Sequence, residues 1–120
     1  MNMQLVRTVK LKLDIPVEII KPTVEEYTKA FNFVCQTAWN DSDSNGVSLH
    51  KKTYSITREH LPSQLAISAR MKATESIKTV KARIKKKQKA TCPKSKQSSI
   101  RYDARSYNVW FDRGELSLLT

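Results

Sequence analysis

Ten Lys and Arg residues and no Asp or Glu fall between Ser76 and Tyr102, in the stretch SIKTVKARIKKKQKATCPKSKQSSIRY. Cations at this density have one evident chemistry, which is to hold anions, and above all the serial phosphates of a polyanion. The whole chain carries 22 basic and 11 acidic residues; without this 27-residue stretch, 12 face 11, so nearly all of the net +11 is local. A concentrated charge of one sign implies a partner, where a general bias would serve solubility. Ile77, Val80 and Ile84 recur inside the stretch at helical spacing, which places its front on a packed helix. The candidate phosphate contacts are Lys78, Lys81, Arg83, Lys85, Lys86, Lys87 and Lys89. Arg70 and Lys72 extend the track backward, and Lys94, Lys96 and Arg101 carry it toward the C-terminal strands. The ordinary meaning of a charged helix face is solubility, but such faces intersperse Glu at i to i+4, and none follows Glu75 in this stretch.

Other chemistries find less support. Cys35 and Cys92 stand far apart, with no second Cys or paired His beside either, so they read as reduced thiols and not as a zinc site or disulfide framework. Asp41, Asp43, Asn45 and Gly46 follow the first half of a calcium loop, DxDxNG, yet the position that needs a bidentate Glu holds Lys52. His50 and His60 lie at helix edges with no nucleophile and carboxylate arranged around them. Gly46 and Gly114 belong to separate turns, so no glycine-rich loop cradles a phosphate. The expectation is a non-catalytic chain with no cofactor, no metal and no small-molecule substrate.

The elements that position these residues follow from periodicity. The chain has 120 residues, 39% of them apolar, with two Gly and four Pro, which suits one folded domain with a modest core. It has no apolar run long enough to cross a membrane, and its N-terminus alternates where a signal peptide would be continuously apolar, so a cytoplasmic protein is expected. In QLVRTVKLKL, Leu5, Arg7, Val9, Leu11 and Leu13 share a face, which predicts a first strand. TVEE offers Thr23 as an N-cap and Glu26 as its capping-box partner, opening a helix to about Asn40. Its stripe of Tyr27, Ala30, Phe31, Val34, Cys35 and Ala38, extended by Trp39, reads as core. A loop over Asp41–Gly46 leads to a short helix from Ser48 to about Glu59. A third helix opens near Pro62 and keeps Leu65, Ala69, Ala73, Ile77, Val80 and Ile84 on one stripe. KKKQKATCPKSK reads as a frayed end and linker. Ile100 and Tyr102 then alternate in strand fashion, and Tyr107–Phe111 and LSLLT should pair as a hairpin across Asp112-Arg113-Gly114-Glu115.

The expected fold is α+β: a partial β-barrel with strands at both ends of the chain (residues 1–15 and 98–120) and an inserted bundle of about three helices (residues 16–97). Tyr102, Tyr107 and Trp110 read as alternating core aromatics, with base stacking as the other role open to them.

Three segments, RTVKLKL, HKKTYSITREHLPSQLAISARMKA and SSIRYDARSYNVWFDRGELSLLT, resemble the N-terminal region of the TnpB (OrfB) proteins of bacterial insertion sequences. That family is related to the type V CRISPR effectors and comprises RNA-guided DNA endonucleases. The resemblance implies that the end strands form a wedge-like β domain and that the helices form a recognition lobe touching guide RNA and target DNA. The family's RuvC-type catalytic carboxylates and four-cysteine zinc module have no counterpart in these 120 residues. The expectation is therefore a non-catalytic nucleic-acid-binding part of such a nuclease. The alternative is a protein-interaction or homodimerisation module, and a basic amphipathic helix lying on a membrane is disfavoured by the absence of inserted aromatics.

Overall fold

The computed structural model describes residues 17–102, 107–110 and 115–118. They form helices α1 (Val17–Asp41), α2 (Gly46–Thr57) and α3 (Ser63–Lys85), then strands β1 (Tyr107–Trp110) and β2 (Glu115–Leu118). The strands pair antiparallel, with Tyr107 opposite Leu118 and Trp110 opposite Glu115. This corrects the expected fold class. The described residues are a three-helix bundle with one small hairpin, and no partial β-barrel is built from them. The opening strand expected over Met1–Leu13 lies outside the described residues, as do Asp112, Arg113 and Gly114 of the expected turn.

α1 begins before its expected cap. Pro22 lies inside the helix, and Thr23 is an interior residue, not an N-cap. Pro22 lacks the amide that would bond the carbonyl of Glu18, a loss confined to the first turns, where few such bonds exist to lose. The apolar stripe then works as its spacing requires: Tyr27, Ala30, Phe31, Val34, Cys35 and Ala38 are all buried. On α3 the buried set is Leu65, Ala66, Ala69, Ala73, Thr74 and Ile77, and its alanines let the helix axes approach closely. Tyr27 meets Ser68 at one end of the pair, and Ala38 lies with Ile77 at the other, so α1 and α3 run in the same direction. α2 returns against them through Leu49, Thr53 and Thr57, while Ile56 faces solvent. Asn45 caps α2 by accepting the Ser48 amide at 3.0 Å, which starts this helix at Gly46.

Both long helices end in the same way. Ser42 and Lys87 take positive φ, 51° and 60°. The amides of Asp43 and Gln88 reach back to the carbonyls of Ala38 and Arg83, at 2.9 and 3.0 Å. This is the Schellman arrangement, whose left-handed position glycine fills without steric cost. A β-carbon there costs about 1 kcal/mol. Lys87→Gly is therefore expected to stabilise the fold by up to about 1 kcal/mol, whereas Lys87→Ala, with its β-carbon retained, should not. Urea midpoints of the two variants check it.

The expected linker is an ordered strap. From Gln88 to Tyr102 the chain has no helix or strand, yet it runs down the bundle opposite to α1. Asn32 grips it from α1, its side-chain oxygen accepting the Ser95 amide at 2.8 Å and its amide donating to the Ser95 carbonyl at 2.9 Å. One turn earlier Thr28 accepts the Ser98 amide at 2.9 Å. Ile100 and Tyr102 pack on the lower core beside Tyr27 and Leu65, and Cys92 packs on the upper core. Its sulfur lies 3.7 Å from the Cys35 carbonyl oxygen, so residues distant in sequence are neighbours in space. Burial, and secondarily the adjacent Cys92, push the Cys35 thiol up to about 12, which keeps it protonated and unreactive.

Candidate nucleic-acid interface

Three of the expected phosphate contacts have partners within the protein, two of them at the strap. The ammonium of Lys72 donates to the Ser98 hydroxyl at 2.7 Å, to the Ser99 carbonyl at 2.8 Å and to the Ser99 hydroxyl at 3.2 Å. It also stands 5.8 Å above the Phe31 ring. Burial, with a smaller contribution from nearby Arg101, lowers its pKa. Lys72 is thus a pin between α3 and the strap. Arg101 pairs with Glu75. Arg70 lies against α2, its Nη1 2.6 Å from where a β-carbon on Gly46 would stand, and its Nε is buried without a hydrogen-bond partner. Lys72 and Arg70 thus turn into the fold, and Arg101 is engaged by Glu75 at the surface.

A network at the lower end shows how completely the strap is engaged. The Ser68 hydroxyl donates its one proton to the Arg101 carbonyl at 2.7 Å. The 2.9 Å bond between Tyr27 and Ser68 must then run from the phenol to the serine oxygen. The Tyr27 oxygen in turn accepts the Arg101 amide at 3.5 Å. α1, α3 and the strap are joined at one point.

The remaining cations face solvent. Lys78, Lys81, Arg83, Lys85, Lys86, Lys87, Lys89, Lys94 and Lys96 are exposed, and none forms an ion pair with a described residue. Six of them fall into two groups. Lys78, Lys81 and Lys85 form a row on the side of α3 that turns toward the α1–α2 loop, where Lys81 donates weakly to Ser44 at 3.3 Å. Arg83, Lys89 and Lys94 line a hollow of about 560 Å³ between the end of α3 and the strap, with Val80 and Cys92 in its walls. Lys87, in its left-handed turn, is the residue that folds the strap back so that Lys89 and Lys94 meet Arg83.

The acidic loop has its own occupant. Lys52 donates to Asp41 at 3.1 Å and to Asp43 at 2.9 Å, so its ammonium stands between the carboxylates of the DxDxNG segment. Hydrogen bonds from the Ser48 hydroxyl, the Asn45 amide and Lys52 hold the Asp43 carboxyl well below the usual carboxylate range. Its hydrogen bonds to Asp43 and then to Asp41 raise the Lys52 pKa. Among the described residues no three His, Cys, Asp or Glu side chains come together as a metal site. No described helix is long and apolar enough to cross a membrane.

One feature lay outside the sequence reading. Trp39, expected to extend the α1 stripe into the core, is 38% exposed beside the cationic row. The signal was present in the spacing: α1 stops at Asp41, while the stripe on α3 continues through Val80 to Ile84, beyond the reach of its partner. Ile84 is accordingly 51% exposed. The other aromatic candidates divide: Tyr102 packs on the bundle, Tyr107 is exposed, and Trp110 lies in β1.

Set against protein-family models, curated proteins and solved structures, the chain matches none.

Proposed function

We propose that this chain binds the backbone of a nucleic acid electrostatically, without reading its sequence. One observation carries the reading: beyond Glu75 the exposed end of α3 and the strap present nine cations with no ion-pair partner among the described residues. The backbone that carries them is already folded, so only side-chain freedom is lost on meeting phosphates, and each contact releases condensed counterions. The resemblance of three segments to TnpB proteins supports the same reading and narrows the partners to a guide RNA and DNA, with the chain serving as a non-catalytic part of such a nuclease. That narrower assignment rests on the quoted segments, and it makes no use of a barrel.

The test is binding of RNA and of duplex DNA as a function of salt. With at least five phosphates engaged, log K should fall against log salt with a slope of at least about 4. A slope near zero sinks the electrostatic model.

A further inference from the structure

A groove of about 430 Å³ lies between the end of α1, the α1–α2 loop and the last turns of α3. Its apolar wall is Ile77, Val80 and Ile84, its aromatic member is Trp39, and Lys81 stands at its edge. We propose that this groove seats an unpaired nucleobase of a single strand whose phosphates run along Lys78, Lys81 and Lys85. The inference rests on the backbone-binding reading and adds to it the state of the ligand: single-stranded at this point, not duplex.

Three observations point the same way. The volume falls within the range of about 300–1,000 Å³ usual for clefts that hold small planar ligands. A half-exposed indole beside an aliphatic wall provides what a base needs in order to leave its stack, and such stacking is indifferent to base identity. The charge at the groove complements a phosphodiester and not a bare apolar partner. Lys81 is tethered at the edge only by its 3.3 Å bond to Ser44, which a phosphate oxygen can replace. The acid in the lining, Asp43, is already neutralised by Lys52 and faces the cap of α2. A base in the groove and a phosphate on the row are therefore compatible in one nucleotide.

The chain has two tryptophans, so Trp110→Phe leaves Trp39 as its one indole reporter. This variant is titrated with oligouridylate and with a duplex of equal length, following both tryptophan emission and anisotropy of labelled nucleic acid. The expected result is strong quenching by the single strand and little by the duplex. Trp39→Ala should then lower single-strand affinity by about 10- to 100-fold, with Trp39→Phe retaining most of it, while the salt slope stays as it was. Binding with a normal slope and an unquenched Trp39 overturns the base seat and leaves backbone binding standing. Absence of binding to either nucleic acid removes both. Emission that shifts with protein concentration alone, alongside a dimer mass, assigns the groove to a second copy and overturns the proposal.

Discussion

Changing Lys78, Lys81 and Lys85 together to Gln is expected to reduce the salt slope of nucleic-acid binding by about 3. At 0.1 M salt the affinity should fall by roughly two to three orders of magnitude, since each lost phosphate contact removes about 0.9 from the slope. The three positions span eight residues of α3, about 10 Å of helix, and all are exposed, so the fold has no reason to change. They are held by the stripe beneath them, in which Ile77 is buried and Val80 half-buried. Lys21 is exposed near the start of α1, at the opposite end of the bundle from the row, and its change to Gln should leave the slope nearly untouched. Circular dichroism serves as the folding control. If the row variant keeps the parental slope, the phosphates are met elsewhere, and the hollow of Arg83, Lys89 and Lys94 is the next place to look.

The largest expected loss of stability comes from Tyr27→Ala, at about 3–5 kcal/mol. The ring is fully buried among Ala30, Leu61, Leu65, Ala66 and Ala69, so truncation leaves a cavity as well as lost contacts. The hydroxyl adds a second effect, because it is the group that joins Ser68 to the Arg101 amide. Tyr27→Phe keeps the ring and should cost only about 1 kcal/mol, the usual net worth of a hydrogen bond. Urea denaturation of both variants separates packing from the network. Equal losses in the two would mean that the network, and not the ring, dominates at this site.

The helices were legible because burial acts on them with one period. Tyr27 to Ala38 and Leu65 to Ile77 are apolar at the 3.6-residue spacing, and those residues form the core. The start of α1 was not legible, since Pro22 and Thr23 carry strong boundary signals that a helix can override when its next turns are well packed. The expected barrel failed for a different reason. In residues 98–102, Ser98, Ile100 and Tyr102 turn inward while Ser99 and Arg101 face solvent, so the alternation read from sequence is real. Extended backbone has that period whether its neighbour is another strand or the groove between two helices. Periodicity specified the conformation and left the partner open. What marked the partner was the polar row Thr28 and Asn32 on α1, matched by Ser68, Lys72 and Glu75 on α3, and a row of that kind reads from sequence as solvent-facing. The same ambiguity governed the candidate site. Lys72 and Arg101 differ in no local way from Lys78 and Lys85; only the strap, a contact across more than 25 residues, takes the first pair out of the interface.

The parallel course of α1 and α3, with the strap returning beside them, makes the bundle a cantilever. Ile20 and Val24 near the start of α1 border the same surface as Ile100, Tyr102 and Leu118 near the strap's end, so both anchorages of the helical segment lie at one pole. Lys81, the groove and Trp39 lie toward the other pole, at the far end of α1, whose 25 residues span about 37 Å. The start of α1 and the end of the strap thus share one pole, and the helical segment enters and leaves the bundle on the same side.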